Sequence, residues 1–314
     1  MRSRQRNLKD QTIVITGASS GIGLATARLA AERGARVLLT SRNEQDLRRA
    51  VAEITEAGGR AAHIVADVAD PQSVERVAVE AVQKFGGFDT WVNNAGVSIY
   101  GKLMEMPLED KRRLFDVNFW GVVHGCRAAV PHFRRHGGTI INIGSVVSDL
   151  AMPLQGIYSA SKQAVKGYTD ALRMELEEEG APIAVTLIKP AATDTPHPRH
   201  ARNYMEREPA LPPPLYAPEV VASAILRCAE RPVREVTVGG GGRAMTVVGA
   251  LTPARTRGDS LYEPQADGVA SGGNPGHVMR SSAYTAMKLG GAARLIPVVV
   301  GAALGFAMLR NRSL

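Results

Sequence analysis

Cysteine is nearly missing from this chain. The 314 residues hold two, Cys126 and Cys228, far apart and in no metal-like spacing. That excludes a disulfide framework and reads as thiols kept in a reducing compartment. The N-terminus lacks an apolar run ahead of the first strand, so no signal peptide and a cytoplasmic location are expected. The body of the chain lacks net charge. Residues 1–10 carry +3 and residues 280–314 carry +5, which accounts for the whole +8 and leaves 11–279 formally neutral. Nucleic-acid binding wants a basic stripe on the folded body, so no nucleic-acid partner is expected. Basic ends suit an anionic membrane surface or serve solubility. No metal site is expected either: His132 and His136 stand four apart, but arginines lie between them and no third ligand is evident.

What is present is an apolar core supply and a regular alternation. Apolar residues make up 45% of the chain, which excludes wholesale disorder. Short apolar runs at 12–17, 36–41, 61–68, 88–96, 138–145, 183–190 and 234–240 read as strands. Helical stretches fall between them, among them 43–57, a long one over 107–134 and one over 157–179. This order predicts an α/β fold, a doubly wound parallel sheet of the Rossmann-like kind with about seven strands. Ligands bind such sheets at the carboxyl ends of the strands, where the Gly, Asn, Ser and Pro clusters of this sequence fall. Residues 1–10 form a basic tail, 11–240 the dinucleotide-binding domain, 241–284 a Gly/Pro-rich extension and linker, and 285–314 a hydrophobic, basic-flanked segment. Within the domain, 191–216 holds six prolines and two histidines, His197 and His200, and reads as a substrate lid.

Two motifs carry chemistry. "TGASSGIG" (16–23) joins a strand to a helix. Gly17 permits a tight turn, and Gly21 and Gly23 remove side chains where a phosphate and the sheet approach the backbone. The helix start then offers N–H groups to a pyrophosphate. "GIYSASKQAV" (156–165) sets Tyr158 one helical turn ahead of Lys162, among small residues. A free Tyr has a pKa of about 10, and bringing it to about 7 takes roughly 4 kcal/mol. A neighbouring ammonium works in that direction.

In sequence order, "TGASSGIG", "DV" (67–68), "NNAG" (93–96), Asn118, "IGS" ending at Ser145, "YSASK" (158–162) and "KPAATDT" (189–195) form a series that resembles the short-chain dehydrogenase/reductase family in its compact single-domain form. The resemblance implies catalytic roles for Tyr158, Lys162, Ser145 and Asn118. Tyr158 would exchange the proton of a carbonyl/alcohol pair and Ser145 would hold the substrate oxygen. Lys162 would bind the nicotinamide ribose, and Asn118 would anchor a water linking Lys162 to solvent. It also implies that a nicotinamide dinucleotide contacts Gly17, Ser19, Ser20, Gly21, Ile22, Gly23, Arg42, Asp67, Val68, Asn94, Ala95, Gly96, Tyr158, Lys162, Pro190, Thr193 and Thr195. The family often forms dimers or tetramers, so a homo-oligomer is expected.

The end of the second strand reads "LLTSRN", with no carboxylate for a ribose 2′-hydroxyl and with Arg42 available to a 2′-phosphate. NADP(H) is therefore favoured over NAD(H), although Ser20 stands where some members add a basic residue. A second departure is Pro190-Ala191 where the family commonly has Pro-Gly, and the added methyl is expected to shift the lid's hinge.

The chain ends in fifteen apolar residues, 295–309. As a helix they span about 22 Å, short of the roughly 30 Å hydrocarbon core unless Arg294 and Arg310 snorkel. A membrane anchor and a helix buried at a dimer interface both fit. The expected activity is NADP(H)-dependent interconversion of a carbonyl and an alcohol on an apolar small molecule such as a lipid, steroid or acyl derivative. The rival from another class is a non-catalytic NADP-binding sensor or scaffold tethered by its C-terminus.

Overall fold

The computed structural model describes residues 6–209, 211, 213–240, 251–253, 259–265, 268–274 and 277–289. Seven strands form one parallel sheet: β1 (Thr12–Thr16), β2 (Arg36–Ser41), β3 (Arg60–Val65), β4 (Thr90–Asn93), β5 (Gly138–Ile143), β6 (Ile183–Pro190) and β7 (Glu235–Val238). Their spatial order is β7-β6-β5-β4-β1-β2-β3, so the order reverses between β1 and β4 and opens a crevice there. β1 and β4 are buried along their whole length, as continuous apolar runs in a parallel sheet demand.

Helices cover both faces. α1 (Gly21–Glu32), α2 (Glu44–Glu56) and α7 (Pro218–Glu230) pack on one, around Leu24, Ala27, Leu47 and Ile225. α3 (Pro71–Phe85), α4 (Leu108–Phe115), α5 (Gly121–His136) and α6 (Gly156–Glu178) cover the other, around Trp91, Leu114, Phe133 and Val165. Local chemistry starts several of them. Asn43 caps α2 by accepting from Asp46 N, and Asp70 caps α3 ahead of Pro71.

The long helix expected over 107–134 is interrupted. A π-helical turn, Asp116–Trp120, joins α4 to α5 and carries Asn118 into the interior. Such widened turns recur at functional sites, and helical periodicity gives no warning of them. The third and fourth strands end at Val65 and Asn93, short of the runs read from sequence, because the chain leaves the ladder there to line the crevice.

The ends of the domain also differ from the reading as tail and linker. From residue 6 onward the N-terminal piece is attached: Arg6 pairs with Asp89, and Leu8 is buried. The described parts of 241–284 are packed. Val278–Met279 pairs in parallel with Leu215–Tyr216, Ser271 donates to Asp194, and Asn274 binds the same carboxylate through N (2.8 Å) and Nδ2 (2.7 Å). A short helix α8 (Ala283–Leu289) follows, and Thr285 Oγ1 accepts from Gly239 N at 2.9 Å. Composition reads such a stretch as linker because its Gly and Pro content is visible and its distant partners are not. Residues 295–309 lie outside the described residues. No helix among the described residues is long and apolar enough to cross a membrane.

Candidate active site

The glycine loop sits over the crevice. Gly17 has φ +65°, and a Cβ there would lie 2.7 Å from Ala95 Cα; at Gly23 one would lie 2.3 Å from Gly17 O. Only glycine lets the loop close this tightly onto the start of α1 and the end of β4. Asn94 locks the same junction by donating Nδ2 to Thr16 O (2.9 Å) and Gly17 O (3.2 Å), while Thr16 Oγ1 accepts from the N–H groups of Asn94 and Ala95. The loop and the helix N-terminus thus form a cradle that fits a dinucleotide's pyrophosphate.

One cleft collects nearly all the predicted residues. Gly17, Ser19, Ser20, Gly21, Ile22, Arg42, Asp67, Val68, Asn94, Ala95, Gly96, Ser145, Tyr158, Lys162, Pro190, Thr193 and Thr195 line it. Gly23 and Asn118 lie behind its wall. Asn118 is wholly buried and accepts from Val97 N (2.8 Å), while its Nδ2 donates to Val97 O (2.9 Å) and Ser161 Oγ (3.1 Å). Ser161 in turn donates to Tyr158 O at 2.7 Å. The π turn therefore braces the helix that carries Tyr158.

Tyr158 and Lys162 share a face of α6, with Nζ 5.8 Å from the phenol ring centroid. Nζ donates to Ile143 O at 2.9 Å, at the end of β5. Ser145 sits on the next turn, where its hydroxyl accepts from Val147 N at 3.3 Å. Burial pushes the Tyr158 phenol up to about 12, against a hydrogen bond with Ser145 that works the other way. Burial also brings Lys162 down to about 8. Desolvation of both groups outweighs their mutual influence, so in this structure the phenol is a stable proton carrier.

Behind the pair runs a buried polar chain without a sequence signature. Trp91 Nε1 donates to Asn93 Oδ1 (2.8 Å), Asn93 Nδ2 to Asn142 Oδ1 (2.8 Å), and Asn142 Nδ2 to Thr169 Oγ1 (2.9 Å). It ties β4 and β5 to α6. Lys189, 2% exposed, is held between Asp149 and Glu235 and fixes the loop after β5 against β6.

Sequence reasoning gave little weight to His197. Its ring faces Tyr158 with centroids 5.8 Å apart, and its Nε2 is sealed from solvent without a hydrogen-bond partner. Burial, with Lys162 and His200 as neighbours, brings its pKa down to about 4, so the imidazole is neutral. Its location in the lid was the only sequence signal. Tyr100, Val147, Met152, Gln155 and Leu211 line the same cleft and carry no motif in the sequence. The methyl of Ala191 has a place: a Cβ on Gly239 would lie 2.9 Å from it, so the glycine opposite makes the room. Ala191 N still donates to Val238 O at 2.8 Å, continuing the ladder. His132, read as a helix end, stacks on Phe88 with centroids 4.2 Å apart.

A parallel sheet reversing at β1/β4, with a glycine cradle beside a Ser, Tyr and Lys cluster, defines a nicotinamide-dinucleotide oxidoreductase site. The family comparison agrees: the model for short chain dehydrogenases matches residues 11–206, and the chain belongs to that family. It is 48% identical over 261 residues to the uncharacterized oxidoreductase YxnA of Bacillus subtilis, covering 82% of this chain and 73% of that one. It is 39% identical over 193 residues to 3beta-hydroxysteroid dehydrogenase 1 of Eggerthella lenta, covering 60% of this chain and 73% of that one. A short-chain dehydrogenase/reductase from Burkholderia phymatum, solved with NAD, superposes with a TM-score of 0.67 at 29% identity, over 74% of this chain and 90% of that one.

Proposed function

We propose that this oxidoreductase interconverts a carbonyl and a secondary or primary alcohol, with NADP(H) as cofactor and an apolar small molecule as substrate. The observation that carries the reading is the convergence of Ser145, Tyr158 and Lys162 on one cleft, beside a glycine cradle fit for a dinucleotide. A nicotinamide dinucleotide held by the glycine cradle and Lys162 would supply or receive the hydride. Tyr158 holds the proton at Oη and passes it to the carbonyl oxygen during reduction, so that C=O becomes CH–OH; oxidation reverses the transfer. Ser145 Oγ accepts from Val147 N and hydrogen-bonds with Tyr158, so a substrate oxygen entering between the two hydroxyls would take over that contact. Lys162 places a cation under the phenol. Asn118 keeps α6 in register with the loop after β4.

Arg42 supports NADP(H): it lines the cleft at the end of β2, and among the described residues it makes no ion pair. The NAD held by the Burkholderia phymatum neighbour favours NAD(H) as the second reading. An apolar substrate is supported by Val97, Tyr100, Val147, Met152 and Leu211 in the wall, and by the steroid in the name of the Eggerthella lenta relative. Self-association and membrane contact through 295–309 belong to the proposal on the sequence pattern alone.

The test follows NADPH and NADH oxidation with ketones and aldehydes, from small polar to long apolar. Turnover should be highest on apolar carbonyls with NADPH. Tyr158→Phe should lower kcat by about three orders of magnitude, within the range of general acid catalysis, with NADPH affinity unchanged. Intact turnover in that variant would sink the mechanism.

A further inference from the structure

The far end of the cleft is closed by residues beyond the family match. Residues 259–265 run past the end of β2, and three side chains grip their backbone. Arg42 donates Nη1 to Tyr262 O (2.6 Å) and more weakly to Leu261 O (3.5 Å), and its Nη2 to Ser260 O. Arg113 donates Nε to Leu261 O at 3.1 Å and Nη2 to Asp67 at 2.6 Å. Asn43 donates Nδ2 to Gln265 O at 3.2 Å. The segment is moored on its other side as well. Asp259 accepts from Arg202 (2.8 Å), the Tyr262 hydroxyl donates to Asp110 (2.8 Å), and Ser260 N donates to His200 O (2.7 Å). Ser260, Pro264 and Gln265 face the cleft directly.

This grip leaves Arg42 in an unusual condition. Its partners are neutral carbonyls, and none of the three bonds uses Nε. Asp67 acts on Arg42 through space, but its hydrogen-bonded ion pair is with Arg113. Glu263 also acts on Arg42 but is exposed, so its field is screened by solvent. A guanidinium held flat by carbonyls on one edge, with no carboxylate bonded to it, presents a second edge suited to a planar, bidentate anion. A free arginine at a loop would have to give up most of its rotamer freedom to do the same.

We propose that residues 259–265 form a specificity-determining strap whose carbonyls hold Arg42 in the orientation that receives the 2′-phosphate of NADP(H), an inference that rests on the NADP(H) reading above. The strap is a positioning element: discrimination at the 2′ position belongs to Arg42 and the strap together, and the strap alone gives the arginine its orientation.

The test is fluorescence titration of the full chain with NADPH and NADH, a binding readout independent of turnover. Asp259→Asn combined with Tyr262→Phe weakens two of the three moorings and leaves Arg42 in place. NADPH should bind about tenfold more weakly to this variant, the loss of an oriented charge-assisted pair, and NADH within about twofold of the parent. Amide exchange across 259–265 should slow on adding NADPH and not on adding NADH. Equal weakening of both cofactors would make the strap a mere wall, and tighter NADPH binding would make it a competitor for Arg42; either overturns the inference. Arg42→Ala separates the two claims. If it weakens NADPH and the mooring variant does not, the strap falls and the cofactor reading stands. If Arg42→Ala leaves both affinities unchanged, the cofactor reading itself falls. Should melting reveal an unfolded double variant, Tyr262→Phe alone, which removes one hydroxyl, takes its place with the same expected direction.

Discussion

The two ends of the cleft are built differently. At the Ser145–Tyr158–Lys162 end, the candidate catalytic side chains sit on one helix and the turn after one strand, and a buried chain of Asn93, Asn142 and Thr169 braces them from behind. At the Arg42 end, one arginine from the tip of β2 is held by carbonyls from more than two hundred residues further along the chain. The first end is fixed by spacing within elements. The second is fixed by a segment that must fold back. The first arrangement can be encoded locally, while the surroundings of Arg42 depend on a long-range contact.

That contrast can be broken by experiment, and the largest effect belongs to the pair already described. Tyr158→Phe should act on kcat alone and Arg42→Ala on NADPH affinity alone. If either variant moved both quantities comparably, the two ends would not be separable. The next effect probes the brace. Asn142→Leu would take from the Asn93 amide its oxygen acceptor and from the Thr169 hydroxyl its donor, leaving Asn93 only Cys126 Sγ and Thr169 only Val165 O. Unfolding by denaturant should then give a loss of about 1–3 kcal/mol, because two buried hydrogen bonds go and the Asn93 amide is left poorly satisfied. A loss under about 0.5 kcal/mol, the range of ordinary surface substitutions, would mean that the polar chain does not hold α6 to the sheet.

The smallest effect sharpens the electrostatics. Lys162 ionises at about 8 and Tyr158 at about 12, both displaced by burial. Lys162 is a base with a lowered pKa, so its cation is present below about 8 and lost above it. For reduction, kcat/KM should therefore be flat below pH 7 and fall as pH rises through 8, by about tenfold per unit for one essential proton. Lys162→Arg, which stays charged, should move that fall upward and lower the plateau. A profile rising through pH 8 would contradict the assignment of the cation.

Much of the fold could be read before the structure was seen. Seven apolar runs separated by helical stretches required a parallel sheet, and the placement of "TGASSGIG" and "NNAG" at strand ends located the crevice. Other features escaped for definite reasons. The π turn at Asp116–Trp120 breaks no hydrophobic period, so 107–134 looked like one helix. The neutral, sealed imidazole of His197 depends on which groups surround it, and a loop sequence does not say. Spacing places Lys162 near Tyr158 but does not report how far burial raises the phenol.

The sequence by itself determined the architecture, the family and the identity of the candidate catalytic side chains. Each of these rests on short-range regularities: periodicity within an element, glycine where backbone must meet backbone, and two side chains one turn apart. Only the tertiary structure decided that Ser260, Pro264 and Gln265 line the cleft, and that Arg42 is held by carbonyls. Backbone carbonyls carry no residue identity. A contact made through them leaves no mark in the sequence, and it exists only once the chain has brought its ends together.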